Sequence, residues 1–186
     1  MNKNFTQLAF TDSVKKAQEH YGTRKAYARM ETSGDRYQLG QREAEYIHSK
    51  DSFYMATVGD NGWPYVQFRG GPQGFLKVID DTTLGYADFR GNGQYISTGN
   101  LQAGNRASLI LMDYANQQRL KIWTEVDILQ ADKDEALLQQ LTMPDYKARI
   151  ERLVLLKVQA YDWNCPQHIR PRYTIEEFEQ FSHTQS

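Results

Sequence analysis

The chain has 186 residues, a net charge of −1 and 40% hydrophobic residues, with a mean hydropathy of −0.72. That length fits one domain with appended structure, while the lack of any apolar run near ~20 residues excludes a membrane-spanning helix and the lack of a basic surplus argues against general nucleic-acid binding. A single cysteine, Cys165, forbids an intrachain disulfide, so a reducing cytoplasm is the expected compartment, and MNKNFTQLAFTDSVKK carries no secretory signal pattern.

Residues 1–38 read as a helical N-terminal extension. Thr11, Asp12 and Ser13 offer capping side chains for a helix over Val14–His20 that Gly22 ends. Thr23–Met30 adds a turn or two, and Ser33-Gly34-Asp35 is a loop. Lys15, Lys16, Arg24 and Lys25 cluster there and read as a solvated face rather than an anion site. Leu39–Lys50 is the next helix, with Leu39, Glu43, Tyr46 and Ile47 on one face. His48 sits near its C-terminal end, where a protonated imidazole complements the helix dipole.

At Phe53 the period changes from helical to alternating. Phe53–Val58 is a strand, Gly59-Asp60-Asn61-Gly62 a hairpin turn in which Asn-Gly supplies positive φ, and Trp63–Arg69 the returning strand. Alternation puts Tyr65, Gln67 and Arg69 on one face and Val66 and Phe68 on the other. The apolar pair is expected inward, as the buried side of a ligand groove or of any half-exposed strand. Gly70-Gly71-Pro72-Gln73-Gly74 turns the chain into strands Phe75–Ile79 and Thr83–Asp88. A polar, Gly-rich turn and a short helix lead to strand Arg106–Met112. Leu120–Leu129 is a sixth strand. Ala131–Leu141 is a helix capped by Asp132, and Tyr146–Arg152 a short helical segment. Leu153–Trp163 is the last strand, followed by the stiff, proline-bearing run Asn164–Arg172 and an acidic helix over Thr174–Phe181. Six or seven short antiparallel strands imply a mainly β domain over 39–172, closed as a barrel or sandwich, with 173–186 as a C-terminal helical tail.

The polar turn carries the chemistry. Asp88, Arg90, Asn92, Gln94 and Ser97 fall within ten residues, separated by Gly91 and Gly93. Glycine lets backbone approach a ligand, and the following helix start offers unpaired N–H groups. One arginine, several neutral donors and a helix start suit a phosphate monoester. A solvated connection with Arg90 in a surface ion pair accounts for the same residues. No H-x-x-H or C-x-x-C metal pattern, G-x-S-x-G element or P-loop is present, and Ile96 breaks the G-x-G-x-x-G rule that Gly91-Asn92-Gly93 begins.

FYMATVGDNGWPYVQFRGGPQGFLKVID, then TLGYADFRGNGQYISTGNL, then RASLILMDY resemble the pyridoxamine 5′-phosphate oxidase-related FMN-binding proteins. WPYVQFRGGP, ADFRGNGQYIS and NCPQHIRPR resemble the predicted flavin-nucleotide-binding branch of that family. The resemblance covers roughly residues 24–172. It implies an FMN-binding split β-barrel that forms a homodimer, with FMN in two interface grooves. It implies flavin contacts from Gln67 and Arg69 on the second strand and phosphate contacts from Asp88, Arg90, Asn92, Gln94 and Ser97. It also implies a groove wall from Trp123, supplied by the partner subunit, and groups near flavin and substrate from His168 and Arg170. His168 is the candidate catalytic residue, as a proton relay, or else a turn residue between two prolines. Cys165 reads as a small buried side chain before a redox-reactive thiol.

The oxidases' Arg-x-Val-Leu-Leu-Lys run is replaced here by Gln67-Phe68-Arg69-Gly70-Gly71-Pro72, and their Ser-Arg-Lys triplet by Arg90-Gly91-Asn92. Their C-terminal Arg-x-His is matched only loosely by Gln167-His168-Ile169-Arg170. FMN binding is therefore what the resemblance implies, and oxidation of pyridoxamine phosphate is not carried over. Three functions stay open on sequence: an FMN-dependent oxidoreductase on a small molecule with NADH or NADPH as candidate donor, a non-catalytic flavin- or haem-binding protein, and a partner-binding barrel with an empty groove.

Overall fold

Seven strands carry the fold, in a computed structural model that describes residues 5–31 and 37–184. They are β1 (Ser52–Val58), β2 (Pro64–Gly70), β3 (Lys77–Asp80), β4 (Thr83–Phe89), β5 (Arg106–Asp113), β6 (Gln118–Gln130) and β7 (Ile150–Trp163). They form one antiparallel sheet in the order β2-β1-β5-β6-β7-β4-β3. Consecutive strands β2 and β3 thus occupy opposite edges. A flat seven-strand sheet separates its edges by about 29 Å, whereas the connection from Gly70 to Lys77 reaches at most roughly 25 Å. The sheet must curl until its edges approach, and the result is a split barrel.

The barrel interior is apolar and aromatic. Phe53, Met55, Leu84, Leu109, Leu111, Leu120 and Ile122 are buried in one continuous core. Phe53 stacks on Phe75 at 5.6 Å and meets Tyr86 edge-on at 5.5 Å. Helix α4 (Gln41–His48) plugs one end with Tyr46 and Ile47; the Tyr46 hydroxyl donates to the Leu111 carbonyl at 3.1 Å. Helix α6 (Glu135–Leu141) seals a second patch, packing Leu141 against Ala87 and Leu153.

Ahead of the barrel lie α1 (Phe5–Ala9), α2 (Asp12–His20) and α3 (Arg24–Met30). Thr11 caps α2, its hydroxyl accepting from the Val14 N–H at 3.4 Å. The loop expected at Ser33-Gly34-Asp35 lies outside the described residues. Helix α5 (Ile96–Ala103) follows the polar turn, and α7 (Ile175–Thr184) ends the chain.

Three expectations are corrected. Arg152 belongs to β7, not to a helix over 146–152: the strand begins at Ile150, because the end of β4 needs a partner and Asp88 pairs with Arg152. Asp134 rather than Asp132 caps α6, accepting from the Leu137 N–H at 2.9 Å. His48 stands in the last turn of α4, and its Nε2 accepts from the Val78 N–H of β3 at 3.3 Å. The third concerns β2: Val66 and Phe68 are 61% and 57% exposed, while Tyr65, Gln67 and Arg69 are the half-buried, inward positions. The polar face of this edge strand looks into the barrel mouth and the apolar face looks out.

Candidate functional site

The inward polar face of β2 meets the end of β4 and the start of α5 across the split in the barrel. A pocket of about 40 Å³ lies there, lined by Gln67, Arg69, Asn92, Gln94, Ser97 and Arg152 among others. Five of those six are positions singled out from sequence. Ser97 is buried and donates to Gln67 Oε1 at 2.9 Å, tying α5 to β2. Asn100 donates to Thr57 Oγ1 at 3.0 Å and ties the same helix to β1. Asn92 Oδ1 accepts from the Gln94 N–H at 3.1 Å and folds the turn.

Asp88 is the buried pivot, 4% exposed. Its Oδ1 accepts from Arg69 Nη1 at 2.8 Å. Its Oδ2 accepts from Arg152 Nε at 3.0 Å and Nη2 at 2.7 Å. A shift of register after Asp88 turns the chain out of the sheet and starts the polar loop. Burial works against the charged form of Arg152, and Asp88 outweighs it, so this guanidinium holds its proton more tightly than usual. Arg69 Nε is buried and has no hydrogen-bond partner among the described residues.

The loop itself is open. A Cβ at Gly91 or Gly93 would meet nothing within 4 Å, and Gly93 has φ +77°, which suits glycine. Tyr95 also sits in the left-handed region, at φ 51°. Its ring lies 4.9 Å from the Arg152 guanidinium, and its hydroxyl donates to Glu151 at 3.2 Å. No side chain among the described residues caps α5, so the first N–H groups of this helix have no capping partner there.

The remaining positions are not gathered there. Arg90 projects away, its side chain 59% exposed and 3.9 Å from Glu151, as in a surface ion pair. Trp123 lies on the outer face of the sheet, where Phe5 of α1 packs against it at 5.1 Å. His168, with φ 67°, and Arg170 are exposed on the C-terminal run. That run is tied to the β5–β6 turn by Gln117, whose amide donates to the Ile169 carbonyl at 2.5 Å. Cys165 is exposed rather than buried. A second, larger groove of about 980 Å³ lies beside this run, lined by Lys50, Tyr54, Phe68, Asp113, Tyr114 and Arg172 among others.

Arg152 and Tyr95 are among the pocket residues that sequence reading missed, with Phe89, Ile96 and Thr98. Arg152 lay in a segment read as helix. Tyr95 was visible as an aromatic between Gln94 and the helix start, but nothing in a sequence announces a left-handed tyrosine. No cluster of three His, Cys, Asp or Glu that could hold a metal occurs among the described residues, and none of their helices is long and apolar enough to cross a membrane.

Residues 39–165 match the family model described as pyridoxamine 5′-phosphate oxidase. The structure is similar to HupZ of group A Streptococcus, at 14% identity and TM-score 0.55, over 73% of this chain and 99% of that one. It is similar to an FMN-binding protein of Syntrophomonas wolfei, at 14% identity and TM-score 0.50, over 79% and 97%. It is also similar to a conserved protein of Mycobacterium tuberculosis, at 15% identity and TM-score 0.51, over 77% and 97%. At such identities these likenesses speak for the fold. No curated protein matches the chain significantly.

Proposed function

The chain belongs to the pyridoxamine 5′-phosphate oxidase family, and on that premise we propose that it binds FMN as a homodimer and acts as a flavin-dependent oxidoreductase on a small molecule. The observation that carries this reading is the small pocket, where Arg69, Asn92, Gln94 and Ser97 converge. Arg69 supplies charge to the FMN phosphate, the Asn92 and Gln94 amides supply neutral hydrogen bonds, Ser97 holds Gln67 in place through the bond its hydroxyl donates, and the α5 start adds backbone N–H groups. A volume of about 40 Å³ holds on the order of three waters, which suits a phosphate and not a three-ring flavin. The ring would lie beyond the pocket mouth, against a second copy of the chain. When bound, FMN supplies two-electron redox chemistry, and the protein's part is to hold and orient it.

Residues 39–172 are the flavin-binding unit of the proposal, with 1–38 as an extension and 173–186 as a tail. Its setting is a reducing cytoplasm. Titration of the purified protein with FMN, followed by flavin fluorescence and absorbance, tests binding; saturable one-to-one binding per chain is expected, and none at high micromolar FMN sinks the reading. Anaerobic mixing of the loaded protein with NADH or NADPH tests redox function. Bleaching of the flavin supports the oxidoreductase, and a flavin that neither donor nor chemical substrate analogues can turn over marks a non-catalytic flavin carrier.

A further inference from the structure

We propose that Arg152 is a second cationic anchor for the ligand's phosphate, and that Asp88 is the positioning residue that presents Arg69 and Arg152 to it together. This rests on the reading of the small pocket as the FMN phosphate site. Strand β2 is at one edge of the sheet, while β4 and β7 lie toward the other. Asp88 therefore joins two guanidiniums across the split, from strands that share no ladder. Both its oxygens are occupied, at 2.7–3.0 Å. Both arginine side chains are largely buried, at 16% and 14% exposure. Glu151 lies 3.3 Å from Arg152 and is shared with Arg90 and the Tyr95 hydroxyl, so three arginines face two carboxylates and the cluster keeps one positive charge over.

Buried like charges brought together are costly unless an anion completes them. Each guanidinium has five N–H donors, and Asp88 uses one of Arg69 and two of Arg152. Both arginines line the same pocket. Tyr95 fixes the plane of Arg152 from a backbone conformation that costs a non-glycine residue free energy. Strain spent to orient a cation beside a pocket points to a ligand. A purely structural ion pair would need neither the left-handed Tyr95 backbone nor an opening lined by both arginines.

The test compares FMN with riboflavin, which has the same ring and no phosphate. In Arg152→Met the preference for FMN over riboflavin is expected to fall ten- to a hundredfold, with riboflavin affinity unchanged; charge-assisted hydrogen bonds are worth that much. Asp88→Asn removes a negative charge from the site, so a purely electrostatic role predicts a stronger FMN preference, whereas a positioning role predicts a weaker one. In the wild-type protein, where folding is not at stake, the Arg152 Nε–H resonance is expected to move on addition of FMN and to stay with riboflavin. A retained preference in Arg152→Met, an Asp88→Asn variant that prefers FMN more, or a resonance that FMN leaves in place each overturns the proposal alone. A wild-type protein that binds neither flavin, or both equally, overturns the reading of the pocket and this proposal with it.

Discussion

Arg69 and Arg90 carry the same charge and were equally visible in the sequence, yet their surroundings differ. Arg69 is held by a buried carboxylate and lines the pocket; Arg90 is mostly exposed, with one long contact to Glu151. Replacing Arg69 by alanine is therefore expected to lower FMN affinity ten- to a hundredfold, about 1.5–3 kcal/mol. Arg90→Ala should stay within about 0.5 kcal/mol of wild type, because solvent screens such a pair. Fluorescence titration separates the two, and equal losses would put the phosphate elsewhere. Asp113 supplies the acid-sensitive contact. Burial pushes its carboxyl up, but the Lys50 ammonium at 2.5 Å and the Asn116 amides overcome that and hold it below the usual carboxylate range. A lowered folded pKa stabilises above the unfolded value of about 3.9, and that stability is lost as pH falls through the folded value. Asp113→Asn should thus melt lower than wild type at pH 7, with the gap closing below about pH 4. A gap that is independent of pH between 7 and 3 would remove the ion pair as its cause.

Among the elements, Gly71 shows how a local constraint sets the barrel. A Cβ there would lie 2.7 Å from Phe75 Cγ and 3.0 Å from its Cβ, and Phe75 is buried and stacked on Phe53. The connection between the two sheet edges must pass tightly over that ring. Gly71→Ala is expected to cost about 1–3 kcal/mol and to lower the melting temperature by several degrees. Gly104→Ala, which meets nothing within 4 Å, serves as the control, and identical melting of the two would show that Phe75 yields freely. The strands were legible because their alternation and the Asn61-Gly62 turn are local signals. The same alternation could not say which face of β2 looks inward. That depends on Asp88 and Ser97, which are distant in sequence and pull Arg69 and Gln67 toward the barrel mouth. The start of β7 was hidden by Lys147, Arg149, Glu151 and Arg152, a charged run that reads as helix until Asp88 is seen to pair with Arg152. The turn 88–97 was legible as a site because its glycines and polar side chains are contiguous. Arg152 was not, because it reaches the site only through the sheet.

For the molecule as a whole, what the single chain leaves uncovered matters most. Tyr54, Val58, Val66 and Phe68 are 37–61% exposed and lie on one outward face, with Tyr54 opposite Phe68 and Val58 near the β1–β2 turn. Helix α1 packs on the same outer side only further along, at Trp123. An exposed apolar patch beside an edge strand is a liability in a monomer, and it becomes an asset when a second copy covers it. A flavin whose phosphate sat in the pocket would need that copy too, since a volume of about 40 Å³ leaves the ring outside. The wild-type chain is therefore expected to run at twice its 21.6 kDa mass in light scattering. Val66→Lys with Phe68→Lys, both on side chains that already face solvent in one chain, should halve that mass and abolish FMN retention while the single chain keeps its β-sheet signature. A double variant that stays dimeric and yellow would mean that the two copies meet elsewhere, and a wild-type monomer that holds FMN would mean that one chain completes the groove alone.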